Sequence, residues 1–325
     1  MTAKLVPVTI LTGFLGAGKT TLLNRILREQ HGQRIAVIEN EFGEEGVDND
    51  LLLQEREEQI VEMNNGCICC TVRGDLVRIL NDLRERRDDG DLAFDRVVIE
   101  TTGLADPGPV AQTFFLDDAI AEYYLLDAVI TVVDAVHGST QLDQHKEAVE
   151  QVGFADRILM SKVDVAAEEE RERLRQRLVR INPRAPIRPV NFGSVEIADV
   201  LDIRGFNLNA ILEIDPEFLT SDEHEHDEAV QSFVYRSAKP FDPVKLEDFL
   251  GGIVQVYGPD MLRYKGVLFM KGSERQTVFQ GVHQMMGADL GRRWQPGEKP
   301  SSKMVFIGRN LPKDMFIKGL DQCLA

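Results

Sequence analysis

The chain has 325 residues, with 54 acidic against 37 basic side chains, a formal net charge of −17 and 43% hydrophobic residues. That is enough apolar material for one large domain or two ordinary ones. A surface this acidic repels phosphate backbones, which excludes general DNA or RNA binding.

The apolar run at 5–15 is too short to span a bilayer and leads into a glycine-rich loop instead of a cleavage site. Neither a membrane segment nor a signal peptide is expected. In the first two-thirds, short apolar runs at 6–12, 34–39, 59–63, 96–100, 128–133 and 157–161 predict strands, with helical periodicity between them. Leu76, Ile79, Leu80 and Leu83 share one helix face, as do Leu174, Leu178 and Ile181. Such alternation predicts an α/β fold: a mainly parallel sheet with helices on both faces, and ligands beyond the carboxyl ends of the strands. Around 206–231 the pattern weakens and acidic residues accumulate, so a linker is expected between domains at 1–205 and 232–325. The last stretch predicts strands at 233–236, 267–271, 277–282 and 304–308 and helices at 246–256 and 313–324. That is a smaller α+β domain.

The first strand runs into Gly13-Phe14-Leu15-Gly16-Ala17-Gly18-Lys19-Thr20, a full G-x-x-x-x-G-K-[ST] phosphate loop, continued through Thr21 by an amphipathic helix. Its backbone amides and the helix amino terminus suit a phosphate chain. Lys19 is expected at the β- and γ-phosphates and the Thr20 hydroxyl on Mg²⁺. Glu100-Thr101-Thr102-Gly103 ends another strand. Glu100 is expected to hold the Mg²⁺ hydration shell, and the Gly103 amide to sense the γ-phosphate, with Thr101 between them. Asp134, at the end of the next run, reads as a cap. Ser161-Lys162-Val163-Asp164 matches the [NTS]-K-x-D pattern, in which Asp164 accepts from the N1–H and 2-amino group of guanine. Adenine lacks that donor pair, so GTP is expected over ATP.

Three of the four cysteines fall in Cys67-Ile68-Cys69-Cys70, on a loop announced by Asn64-Asn65-Gly66. Thiols so close are poorly placed for a disulfide framework, and a reducing, cytoplasmic compartment is expected. The cluster fits a thiolate-binding metal such as Zn²⁺ or Cu(I), a redox pair, or small buried apolar residues. Carboxylates of the segment Glu39-Asn40-Glu41-Phe42-Gly43-Glu44-Glu45 follow the preceding strand and either complete a metal site at the same sheet edge or are solvated. His224 and His226 read as surface residues or as weak metal ligands.

Together, the loop Gly13–Thr20, Glu39 to Glu44, the C-x-C-C motif, Glu100 to Gly103, Ser161 to Asp164 and the later Arg263-Tyr264-Lys265-Gly266 and Met304-Val305-Phe306-Ile307-Gly308 resemble the CobW/YjiA-like GTPases, a metallochaperone branch of the P-loop NTPases. The resemblance covers nearly the whole chain. It implies GTP hydrolysis with Mg²⁺, zinc or a related metal near the cysteine motif, and delivery to a client metalloprotein. No residue of the sequence is an obvious catalytic base, so a low intrinsic rate is expected. It points to Glu39, Glu44 and Cys69 as metal ligands, with Cys67 and Cys70 beside them. The long His-rich tract of some relatives shrinks here to His224 and His226. Two other readings stand beside it: a metal-buffering protein with a regulatory nucleotide site, and a thiol redox sensor.

Overall fold

The computed structural model has buried apolar cores in both halves of the chain. The structure describes residues 5–29, 32–40, 60–63, 72–205, 230–295 and 297–325. The chain divides into two units, Met1–Arg175 with Pro186–Gly205, and Gln176–Ala185 with Phe206–Ala325.

In the first unit, strands β1 (Val6–Gly13), β2 (Ile35–Asn40), β3 (Ile60–Met63), β4 (Arg96–Glu100), β5 (Tyr124–Asp134), β6 (Arg157–Ser161) and β7 (Ile187–Val190) form one seven-stranded sheet. Its order is β3-β2-β4-β1-β5-β6-β7, and every pairing is parallel. The central strands read as unbroken runs of Val, Ile and Leu because a parallel sheet is buried on both faces. Among the described residues, the helices are α1 (Lys19–Arg28), α2 (Val72–Asp88), α3 (Gly108–Leu116), α4 (Asp118–Ala121), α5 (Gly138–Gln144), α6 (Lys146–Phe154) and α7 (Glu168–Ile181), the last of which continues past Arg175 into the second unit. Leu22, Leu23, Ile26 and Leu27 of α1 meet Leu11, Val37, Ile130, Val132 and Leu159 of the sheet in a single apolar cluster. Leu76, Leu80 and Leu83 are buried on α2, as are Leu174, Leu178 and Ile181 on α7, while Ile79 is only half-buried. β7 was not expected from its four residues, Ile-Arg-Pro-Val. It lies at the sheet edge, where the missing N–H of Pro189 costs no ladder bond.

The second unit holds a five-stranded antiparallel sheet, order β11-β10-β9-β12-β8, built from β8 (Val230–Ser237), β9 (Met261–Leu268), β10 (Arg275–Val282), β11 (Met285–Arg293) and β12 (Ser302–Arg309). Helices α8 (Pro243–Tyr257) and α9 (Lys313–Gln322) supply Leu246, Leu250, Ile253, Phe316 and Leu320 to its core beside Phe233, Tyr264, Phe279 and Phe306. α8 starts where its sequence says it should: the Asp242 carboxylate accepts from the amides of Val244 and Lys245, and Pro243 takes the first position. β11 was missed. Its pattern is exposed nearly throughout, so no alternation of apolar and polar residues marks it. Its Arg292 pairs with Glu298 at 2.7 Å, and Arg293 lies 3.7 Å from Glu274.

At the start of β4, Arg96 is fully buried. Its guanidinium donates to Asp127 at 3.0 Å, Thr9 at 3.1 Å and Gln33 at 3.1 Å, and it pairs with Asp202. Asp127 also accepts from the amides of Ile203 and Arg204. Removing one partner of a buried pair leaves the other charge uncompensated. Arg96→Ala is therefore expected to destabilise the protein by about 3 kcal/mol. In urea unfolding this appears as a lower midpoint at unchanged slope. Arg96→Met combined with Asp127→Asn should recover much of the loss. Equal midpoints for wild type and Arg96→Ala would show that the cluster is not a clamp.

Candidate nucleotide site at the carboxyl edge of the sheet

The strand ends bring the phosphate loop, Glu39, Glu100 and Ser161 to one edge. Gly13 closes β1 at φ +144°, and a Cβ there would lie 2.3 Å from the Val132 carbonyl oxygen. Only glycine lets the loop leave β1 this close to β5. Gly18 caps α1 at φ +99°. Within the loop, the Phe14 ring is buried and packs on His145 with centroids 4.5 Å apart. Leu15 is exposed, and its carbonyl accepts from Gln141 Nε2 at 3.3 Å. Ala17 is fully buried.

Lys19 is buried, and its ammonium donates to Gly13 O at 2.9 Å and Phe14 O at 3.4 Å. Burial pulls its pKa below the usual lysine range, and the Glu100 carboxylate offsets part of that shift. The Thr20 hydroxyl donates to Glu100 Oε1 at 3.0 Å. Thr21, the next residue, is exposed. These two oxygen donors are hard ligands of the kind Mg²⁺ takes together with water and phosphate oxygens. Glu39 lies against Glu100 in the β2–β4 register and is buried.

Past Glu100, the Thr101 hydroxyl donates to Thr12 at 2.8 Å. A Cβ on Gly103 would lie 2.6 Å from the Leu15 amide nitrogen, so this loop presses on the phosphate loop itself. Gln151 of α6 braces it, donating to Gly103 O at 3.1 Å and Ala105 O at 3.0 Å. Asp134 caps the turn that follows it, accepting from the Val136 and His137 amides, and also pairs with Lys162 at 2.7 Å. Lys162 itself sits at φ +56°. The Ser161 hydroxyl donates to Ala17 O at 2.6 Å, tying the end of β6 to the phosphate loop. Asp164 is exposed. The Asn191 amide, oriented with its nitrogen toward both acceptors, donates to Asp164 Oδ1 and Val190 O, each at 3.2 Å.

Gln151, Asn191, Gln141 and His145 were not expected from the sequence. Each acts through a tertiary contact, and Gln151 is marked only by being polar on a buried helix face. Glu44, Cys67, Cys69 and Cys70 lie outside the described residues, as do Glu41, Glu45, His224 and His226. Among the described residues, no helix is long and apolar enough to cross a membrane.

A strand, a glycine-rich loop and a helix amino terminus that meet a carboxylate from the neighbouring strand form a nucleoside-triphosphate site. The family model described as CobW/HypB/UreG, nucleotide-binding domain, matches residues 7–189.

The chain belongs to the CobW/HypB/UreG family.

The C-terminal domain model of the cobalamin synthesis protein CobW matches residues 230–324. Among curated relatives, this CobW-family chain is similar to the zinc chaperone YjiA of Escherichia coli. The two are 46% identical over 95% of this chain and 96% of that one. It is also similar to the zinc-regulated GTPase metalloprotein activator 1 of Schizosaccharomyces pombe, 32% identical over 94% of this chain and 83% of that one. The crystal structure of the Zn(II)-bound YjiA GTPase from E. coli matches with a TM-score of 0.84 and 39% identity, over 99% of this chain and 100% of that one.

The burial of Lys19 has a thermodynamic consequence. Its folded-state pKa lies below that of the unfolded chain, about 10.4. Between the two values the unfolded state binds more protons, so stability rises with pH across that window, and the penalty is full below the folded pKa. Lys19→Met is expected to raise the urea midpoint of the ligand-free protein at neutral pH and to flatten its rise toward pH 10, while abolishing triphosphate binding. A lower neutral-pH midpoint in the variant would mean that the two carbonyl hydrogen bonds outweigh the burial.

Proposed function

We propose that this protein is a GTP-hydrolysing zinc chaperone: it binds GTP–Mg²⁺ and one transition-metal ion at the same sheet edge and passes the metal to a client apoprotein in the cytoplasm. The observation that carries the nucleotide half is the 3.0 Å contact between Thr20 of the phosphate loop and Glu100 at the end of β4. The likeness to the zinc-bound YjiA GTPase over 99% of the chain supports the metal half. So does the alignment of Glu39 with Glu100. The family-model matches at 7–189 and 230–324 support a GTPase domain at 1–205, a linker at 206–231 and a C-terminal domain at 232–325. The three clustered cysteines support a reducing compartment.

In this reading, the amides of Gly13 to Thr20 cradle the phosphates. Lys19 leaves its two loop carbonyls for the β- and γ-phosphates. Thr20 and Glu100 would hold Mg²⁺, which would supply charge neutralisation for phosphoryl transfer. The Gly103 amide faces the γ-phosphate on the loop that Gln151 braces. Asp164 reads the guanine edge, and Lys162 is held for the base by Asp134. Thr101 keeps its loop in register through Thr12. Positioning and charge neutralisation carry the chemistry, so the intrinsic rate is low. Glu39, Glu44, Cys67, Cys69 and Cys70 are the proposed metal ligands, and their affinity for the metal is proposed to respond to the γ-phosphate.

Two measurements test this. Asp164→Asn should weaken GTP binding and favour xanthosine triphosphate, because the new amide donates where xanthine offers an oxygen. Full retention of GTP preference would remove Asp164 from base reading. Zinc titrations of the ligand-free protein and of its GDP and GTP-analogue complexes should differ at least severalfold in affinity, within the roughly 5- to 150-fold range of typical couplings, with nucleotide affinity changing by the same factor when metal is bound. Superimposable titrations would separate the two sites. Turnover no faster than background would favour metal buffering instead.

A further inference from the structure

One large apolar side chain at this edge has no core to explain it. Phe192 is 82% exposed, more than any other large hydrophobic residue among those described. The Ser194 amide donates to Asn191 O at 2.8 Å, closing a four-residue turn. Its two central residues, Phe192 at φ +50° and Gly193 at φ +72°, are both left-handed, as a type I′ turn requires. Asn, Asp or Gly takes the first of these places with little strain, whereas a bulky aromatic residue there is an outlier. Strained backbone of this kind persists where the surroundings fix it, and it concentrates at ligand sites.

The surroundings here fix it from three directions. β7 pairs with β6 so that Val190 lies against Ser161. Asn191, the first residue of the turn, donates to Asp164. Gly193 is seated on the first turn of α1, where an added Cβ would lie 2.9 Å from Thr21 O. The turn that presents Phe192 therefore touches both the Asp164 carboxylate and the helix that starts at Lys19. A water-exposed aromatic ring held at that junction has the chemistry to cover a flat heterocycle. Aromatic rings stack on nucleobases whatever the edge pattern, and each such contact is worth a substantial share of binding.

We propose that Phe192 is a base-stacking residue: its ring covers one face of the purine whose edge Asp164 reads. The inference rests on the nucleotide-binding reading and adds to it the residue that holds the base. Four proteins test it: the wild type, Phe192→Ala, Phe192→Gly and Phe192→Trp. GDP and inorganic pyrophosphate, each with Mg²⁺, are titrated by calorimetry. Pyrophosphate occupies the phosphate loop without a base, so it reports the loop alone. The glycine variant relieves the turn and removes the ring together. A purely structural role for Phe192 is thus preserved or improved in it, and a stacking role is lost.

The alanine and glycine variants are expected to bind GDP about five- to tenfold more weakly, the lower part of the range for base stacking, with pyrophosphate affinity unchanged. Phe192→Trp should bind GDP within about twofold of wild type. Its added emission, measured against the single native Trp294, should be quenched by GDP and not by pyrophosphate. Wild-type GDP affinity in either small variant, or a tryptophan at 192 blind to saturating GDP, would overturn the proposal. If the wild type binds ATP as tightly as GTP and the small variants weaken both, stacking stands and the guanine reading of Asp164 falls. If the wild type binds pyrophosphate but no nucleotide, both fall.

Discussion

A hydrogen bond from the Thr20 hydroxyl to Glu100 joins two parts of the chain 80 residues apart, the first turn of α1 and the end of β4. Its geometry depends on the strands behind it. β4 lies between β1 and β2, and its first residue, Arg96, is clamped by Asp127, Thr9 and Gln33. A strand fixed at its start delivers the residue at its end to a defined place, four residues on. The loop that follows β1 is equally constrained, because Gly13 passes so close to Val132 that no side chain fits. The Thr20–Glu100 contact is where these two constraints meet.

The rest of the edge is assembled by short ties to the same loop. Ser161 bonds Ala17, Gln141 bonds Leu15, and Gly103 abuts the Leu15 amide. Gln151 spends one carboxamide nitrogen on two carbonyls of the segment after Glu100, so that segment moves only when both bonds break together or α6 moves with it.

Much of this was legible in the sequence, for reasons that differ by residue. The run Gly13 to Thr20 was recognisable because close backbone approach, left-handed turns and a cationic side chain leave few permitted residue types. The central strands were recognisable because burial on both faces demands unbroken apolar runs. β7 and β11 escaped for opposite reasons: Pro189 reads as a break, although an edge strand tolerates it, and β11 buries too little to carry a pattern. Asp134 was read as a cap, and it is one, but its pairing with Lys162 depends on β5 and β6 being neighbours in space. Gln151 and Asn191 carry no local signal because their partners lie far along the chain. The cysteine motif, the most distinctive feature of the sequence, lies outside the described residues, so its reading rests on chemistry and likeness alone.

β11 has a consequence for the behaviour of the protein in concentrated solution. Among the described residues it is the outermost strand of its sheet, nine residues long and largely exposed, and its outer side presents a row of N–H and C=O groups that could template another chain. Charge guards it: Asp289, Arg292 and Arg293 sit on the strand, and stacking a second strand there would bury or crowd them. The hydrogen bond from Arg292 holds the Glu298 carboxyl down to about 2. The ion pair beside this edge therefore keeps both charges in acid that neutralises most of the acidic surface. When the net negative charge that disperses the molecules is lost on acidification, the open strand keeps its own local barrier to association.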